Sequence, residues 1–198
     1  MSTDVPGLPG AEWTHGEGHL RVEGADVILV ADAGVDWTND AAGATPHQTS
    51  TSLSVVPPHP FQFSALVSVD GPRTTFDAAA LTLWSDADHW AKLCFECSPQ
   101  GEEMVVSVVT DTYSDDANGP IITAGEVWLR VASIGEAYAY HYSLDGETWH
   151  FVRQFRLDAP NRLRVGIMSQ APTGETAVAR FSRIRLVAEQ LSDVRGGS

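Results

Sequence analysis

Lys92 and Glu96 stand four residues apart, and Trp128 and Arg130 two apart, each pair inside a short segment that alternates apolar and polar residues. Even spacings in an extended chain put side chains on one face. The segment from Trp90 to Cys97 therefore presents Trp90, Lys92, Cys94 and Glu96 on one side and Ala91, Leu93, Phe95 and Cys97 on the other. The same rule sets Trp128 and Arg130 opposite Val127, Leu129 and Val131, and gives Tyr138, Tyr140 and Tyr142 a common face. With these sides aligned in one sheet, Lys92, Glu96, Trp128, Arg130 and Tyr140 form an aromatic floor studded with charge. Carbohydrates suit such a floor, because flat rings stack on apolar sugar faces while charged groups hydrogen-bond to hydroxyls. Trp37 and His47, in the polar stretch from Asp36 to Ser52, are expected to close its rim as a binding loop. The expected role is non-catalytic binding of a mono- or oligosaccharide. Two other readings stay open: ion pairs on an ordinary solvated sheet face, or a protein-interaction surface, such as a homodimer, built on exposed Trp and Tyr.

Other chemistries find less support. Glycoside hydrolysis needs two carboxyl groups about 5 to 9.5 Å apart, yet Glu96 is alone on its face and Glu102 and Glu103 occupy opposed positions near a turn. Asp86 and Asp88 have suitable spacing but fall in Ser85-Asp86-Ala87-Asp88, which reads as a turn. Calcium wants six to eight oxygens, more than this turn offers. His15, His19, His47, His59, His89, His141 and His150 are scattered without metal-ligand spacing. No serine has the surroundings of a nucleophile elbow. The sequence gives no reason to expect a metal, a cofactor or a catalytic residue.

The elements that position these residues are strands. Nine runs rich in Val, Ile, Leu, Tyr, Trp or Phe follow one another: Phe61–Val69, Ala78–Trp84, Trp90–Cys97, Met104–Thr110, Glu126–Val131, Ala137–Ser143, Trp149–Phe155, Leu163–Met168 and Ala177–Val187. Turn signals break them at Asp70-Gly71-Pro72, Ser98-Pro99-Gln100-Gly101, Asn118-Gly119-Pro120 and Asp145-Gly146, the last being the clearest hairpin. This rhythm is that of a sandwich or barrel. The chain of 198 residues is expected to be one domain over 1–191, with 192–198 a disordered tail.

Composition narrows the partners. Apolar residues make up 43% and charged residues 19%, an ordinary globular balance. A formal charge of −14 repels phosphate backbones and anionic lipid, so neither nucleic acid nor a membrane surface is expected. No run approaches the roughly 20 apolar residues of a membrane span, and a cytoplasmic location is expected.

From about Trp13 to Val187 the sequence resembles the domain family named after the fungal regulation-of-enolase protein. The likeness rests on Asp36-Trp37, Ala80-Leu81-Thr82-Leu83-Trp84, Asp88-His89-Trp90-Ala91-Lys92, Phe95-Glu96, Ser107-Val108-Val109-Thr110 and Tyr113-Ser114-Asp115. It continues through Val127-Trp128-Leu129-Arg130, Tyr142-Ser143-Leu144-Asp145-Gly146-Glu147-Thr148-Trp149 and Val165-Gly166-Ile167-Met168. The resemblance implies an all-β, two-sheet antiparallel sandwich, a concanavalin A-like jelly roll of the lectin/glucanase superfamily, and a setting in sugar metabolism. It implies no particular reaction.

The two cysteines, Cys94 and Cys97, point to opposite faces of one strand, where a disulfide between them has the wrong geometry. Alkylation of denatured protein without reductant should label both thiols in mass spectra. A protected pair would show that this segment is not a strand.

Overall fold

The computed structural model describes residues 2–198. These form strands and turns without a helix: β1 (Thr3–Val5), β2 (Leu8–Trp13), β3 (His19–Glu23), β4 (Asp26–Asp32), β5 (Trp37–Thr38), β6 (His47–Gln48), β7 (Ser52–Val55), β8 (Gln62–Asp70), β9 (Ala78–Asp86), β10 (His89–Cys97), β11 (Glu103–Asp111), β12 (Tyr113–Ile121), β13 (Glu126–Ile134), β14 (Ala137–Ser143), β15 (His150–Phe155), β16 (Arg164–Gln170) and β17 (Thr176–Val187). Two antiparallel sheets stack as a sandwich of the jelly-roll kind. One runs β1-β2-β7-β16-β9-β10-β11-β12 and the other β15-β14-β13-β8-β17-β4-β3. β5 and β6 form a two-stranded ribbon outside both.

Alternation decides what lies between the sheets. Ala91, Leu93 and Phe95 of β10 face inward to join Val127, Leu129 and Val131 of β13 in one core, with Phe63 of β8 and Phe181 of β17. Burying each large side chain contributes about 1.5–3 kcal/mol. The hairpin at Asp145-Gly146 is present, and Gly146 takes φ 78°, which a side chain would resist. The Asp145 carboxylate accepts hydrogen bonds from the backbone N–H groups of Glu147 (2.8 Å) and Thr148 (2.7 Å), fixing the turn.

All nine expected strands occur, and three other expectations are corrected. Asn118-Gly119-Pro120, read as a turn, lies inside β12. β12 borders β11 alone, and its register shifts where Asn118 pairs with Val106 and Ile121 with Met104. An edge strand with an irregularity tolerates proline, because one row of its N–H groups needs no partner. Residues 192–198, expected as a disordered tail, form a turn seated on β13 and β14. Arg130 Nη2 donates to the Gly197 carbonyl at 2.7 Å and His141 Nε2 to that of Val194 at 2.7 Å.

The third correction concerns Tyr140. On β14 it pairs with Val131 of β13, whereas Arg130 pairs with His141, so Tyr140 faces the core and Arg130 the outside. The Tyr140 ring packs at 4.7 Å from that of Phe155, fully buried, and its hydroxyl has no hydrogen-bond partner. It is a packing residue, not a ligand contact.

An unpaired buried hydroxyl costs about 1–3 kcal/mol, whereas losing a core ring costs about 3–5 kcal/mol. Tyr140→Phe should therefore leave stability in urea unfolding unchanged or higher, and Tyr140→Ala should lower it by about 3–5 kcal/mol. A clear loss in Tyr140→Phe would mean that the hydroxyl is bonded in solution.

Candidate functional site

The outer face of the eight-stranded sheet is built from rows of paired residues. Lys92 of β10 lies beside Val108 of β11, which lies beside Asp116 of β12. One row along, Cys94 adjoins Val106 and Val106 adjoins Asn118. On the other flank, Glu96 pairs with Ala78 of β9 and Ala78 with Gln170 of β16. Because Ala78 has only a methyl group, the two long polar chains reach over it. Gln170 Nε2 stands 3.5 Å from Glu96 Oε2.

A roof crosses this face. Trp37 descends from the loop after β4 and packs fully buried against Trp84 (4.7 Å between ring centres) and Trp90 (5.7 Å), its Nε1–H donating to the Ser50 carbonyl at 2.7 Å. With Ala80, Cys94, Met104, Val106, Val108 and Met168 these rings form a second apolar cluster outside the sandwich core. Asn39 pins the roof further along. Its amide donates to the carbonyls of Ala87 and Thr112, both at 3.0 Å, and its backbone exchanges bonds with Ser114.

Beside Trp37 the roof leaves a cavity of about 510 Å³. Lys92 and Glu96 stand in its floor, Asp36, Thr38 and His47 come from the roof, and Asp116 and Asn118 from β12. Lys92 is 3% exposed, and its Nζ donates to Asp36 Oδ1 and to Gln170 Oε1, both at 2.8 Å. Gln170 in turn donates to the Phe76 carbonyl at 2.9 Å. Phe76 lies on the rim with φ 69°, a left-handed conformation that costs a bulky residue about 1–3 kcal/mol and is held by this bond and by its own N–H to the Cys97 carbonyl.

Burial and charge set the protonation states. Burial alone would lower the Lys92 ammonium, but the charge and hydrogen bond of Asp36 hold it well above its usual range. Burial pushes Glu96 up to about 7, against the pull of Lys92 and with the push of Asp36 and Asp116. Asp116 is likewise raised, by partial loss of water and the nearby Asp36. Burial also raises the Cys94 thiol well above normal, so it remains protonated and inert.

The seven residues singled out by sequence do not share one surface. Lys92, Glu96, Trp37 and His47 meet at the cavity. Trp128 and Arg130 line a different recess, with Trp149 and Gly146, on the outside of the seven-stranded sheet. β10 and β13 belong to facing sheets, and their outer faces point in opposite directions. There the Arg130 guanidinium lies 4.1 Å above the Trp149 ring. Asp36, Gln170, Asp116 and Asn118 were missed as site residues. The signal for Asp36 and Gln170 was a lone acid beside Trp37 and a polar residue at the end of an apolar strand. That for Asp116 and Asn118 was hidden by the proline that made their segment read as a turn.

Fold and site together define a two-sheet jelly-roll sandwich with a roofed polar cavity on one outer face. The chain belongs to the family described as protein of unknown function (DUF1349), whose pattern it matches over residues 13–188. No curated protein matches it in sequence. A functionally unknown protein of Saccharomyces cerevisiae has a similar structure, with 24% identity, TM-score 0.82, and coverage of 91% of this chain and 97% of that one. A xylan beta-1,4-xylosidase of Bacillus halodurans shares the fold at 14% identity and TM-score 0.62 over 82% of this chain, which spans only 32% of the xylosidase. An alginate lyase of Klebsiella pneumoniae does so at 11% identity and TM-score 0.55, over 88% and 85% of the two chains.

Glu96 has a folded pKa of about 7 against 4.5 for a free glutamate. Between these values the folded state holds a proton that the unfolded state has released, so this group's stabilising contribution is complete below about pH 4.5 and lost as pH rises through about 7. Urea unfolding at pH 5 and pH 8 should show a decline of about 2 kcal/mol from this group. Glu96→Gln should remove most of the decline, and an unaltered slope would place Glu96 in water.

Proposed function

We propose that this chain is a non-catalytic carbohydrate-binding domain whose ligand enters the cavity between β10, β12 and the roof. The observation that carries the reading is the buried Lys92–Asp36–Gln170–Glu96 network opening onto a cavity of ligand size. Polar groups locked in place bind hydroxyls without further ordering cost, and Phe76, exposed on the rim, offers ring surface beside them. The sandwich also recurs in proteins titled xylosidase and alginate lyase, which is support by analogy of fold alone. A role in sugar metabolism, as the likeness to the regulation-of-enolase family implies, fits this reading, and two unpaired thiols fit a cytoplasmic setting.

A glycoside-active enzyme is the second reading, favoured by one observation. Glu96, protonated near neutrality, faces the same cavity as Asp116, and such a pair is what an acid and a base require. Release of reducing ends from oligosaccharides separates it from simple binding. The homodimer reading has less to rest on, since the large exposed apolar side chains Val22, Phe76 and Leu144 lie on separate strands and loops and Tyr113 and Ile121 at opposite ends of β12.

A thermal-shift screen against mono- and oligosaccharides should find a hit, because a ligand of the native state alone raises the melting temperature. With that hit, titration calorimetry of His47→Ala and Asn118→Ala, both exposed, should show at least about a fivefold loss of affinity, or ~1 kcal/mol, at unchanged melting temperature. Trp128→Ala should bind like the parent. Loss confined to Trp128→Ala would move the site to the other sheet.

A further inference from the structure

The polar groups around the cavity are unequal in kind. Lys92 has three N–H donors, and two are already given to Asp36 Oδ1 and Gln170 Oε1. Its charge is matched by Asp36 at 2.8 Å. Among the described residues lining the cavity, Lys92 is the one side chain with a full positive charge, against Asp36, Glu96 and Asp116. One Lys92 N–H is thus left for a ligand, with the amide N–H of Asn118.

Acceptors outnumber these donors. Glu96 is 8% exposed, and its Oε1 receives no hydrogen bond from the described residues, nor does Asp36 Oδ2 or either oxygen of Asp116. Glu96 is thus a nearly buried carboxyl aimed into the cavity with one oxygen unanswered. These acids do not form a metal cage: among the described residues no three His, Cys, Asp or Glu side chains come together as metal ligands do. Glu96 and Asp116 lie on strands two apart, separated by β11, and both line the cavity.

We propose that the cavity selects a donor-rich, positively charged saccharide, an amino sugar with a free ammonium, and rejects sugars that carry carboxylate or phosphate. The ammonium sits among Asp116, Glu96 and the free oxygen of Asp36, and the ring hydroxyls meet Asn118 and the remaining Lys92 N–H. This rests on the carbohydrate-binding reading and narrows it. An anionic sugar would meet Asp36 and Asp116, and Glu96 once ionised, with the one cation already neutralised, and charge repelled inside a cavity is poorly screened by salt.

Glucosamine oligosaccharides and their N-acetylated counterparts have the same ring and linkage and differ at one nitrogen per ring, charged in the first and acetylated in the second. Calorimetric titration of the full chain with the tetramers of both, with cellotetraose, and with tetragalacturonate should show the free-amine form binding at least tenfold tighter than either neutral form, with no heat from the uronate. Asp116→Asn, exposed on the edge strand, should remove most of that preference, weakening the free-amine form far more than the neutral forms, with the melting temperature unchanged. Equal or tighter binding of a neutral tetramer would overturn the charge selection and leave the carbohydrate site standing, as would a preference that persists in Asp116→Asn. Binding of tetragalacturonate would also overturn it. Silence from all four sugars would sink the carbohydrate reading, and this proposal with it.

Discussion

The contact between Lys92 and Asp36 holds the functional face together, because it is the charged bond between the sheet and the loop that roofs it. Taking an ammonium and a carboxylate out of water costs several kcal/mol for each ion, recovered only where geometry is good and the remaining polar atoms are bonded. Here Gln170 supplies the extra bond, and the backbone N–H of Trp37 donates to the same Asp36 oxygen at 2.7 Å. The residue that closes the ion pair therefore also fixes where the next side chain enters, and that side chain is the Trp37 ring filling the second apolar cluster. Charge pairing and ring packing on this face are one unit. Removing either partner leaves the other charge buried and unanswered, a larger loss than the pair itself contributes.

Much of the fold was legible from alternation. Trp90 to Cys97 reads as a strand with Ala91, Leu93 and Phe95 inward, and so it is. Val127, Leu129 and Val131 read correctly for the same reason. What alternation leaves open is the partner of each strand. Trp128 and Arg130 share a face with each other, and nothing in their own segment says that β13 pairs with β8 and β14 instead of joining the sheet of β10. The site was legible in the same partial way. Lys92 and Glu96 lie on one strand and could be read together. Asp36 and Gln170 are 56 and 78 residues from Lys92, and only the folded chain brings them to it.

The recess around Arg130 shows how similar residues serve a different end. A guanidinium over an indole with charged neighbours has the chemistry of a ligand site. The terminal turn already supplies what the arginine needs, a carbonyl from Gly197, while burial lowers Arg130 to about 10. His141 is likewise lowered by burial, to about 4, and is neutral as it donates to Val194. Both polar groups are committed to holding chain against sheet. Arg130 Nε and His141 Nδ1 are nonetheless buried without a partner, so what separates the two faces is charge: the cavity across the sandwich gathers Asp36, Glu96 and Asp116 around one lysine.

β12 ends its sheet, with an open row of backbone groups that another chain's strand could extend. It meets that hazard with acidic residues at Asp115 and Asp116, an irregular register and Pro120, features that discourage strand addition. Asp116 and Asn118, which face the cavity, sit on this same nine-residue strand. Its sequence is thus under two selections at once, for what the cavity contacts and against edge-to-edge aggregation. Replacing its acids with β-branched residues to alter the cavity would also make the protein more prone to polymerise, and colloidal stability would fall before folding stability did.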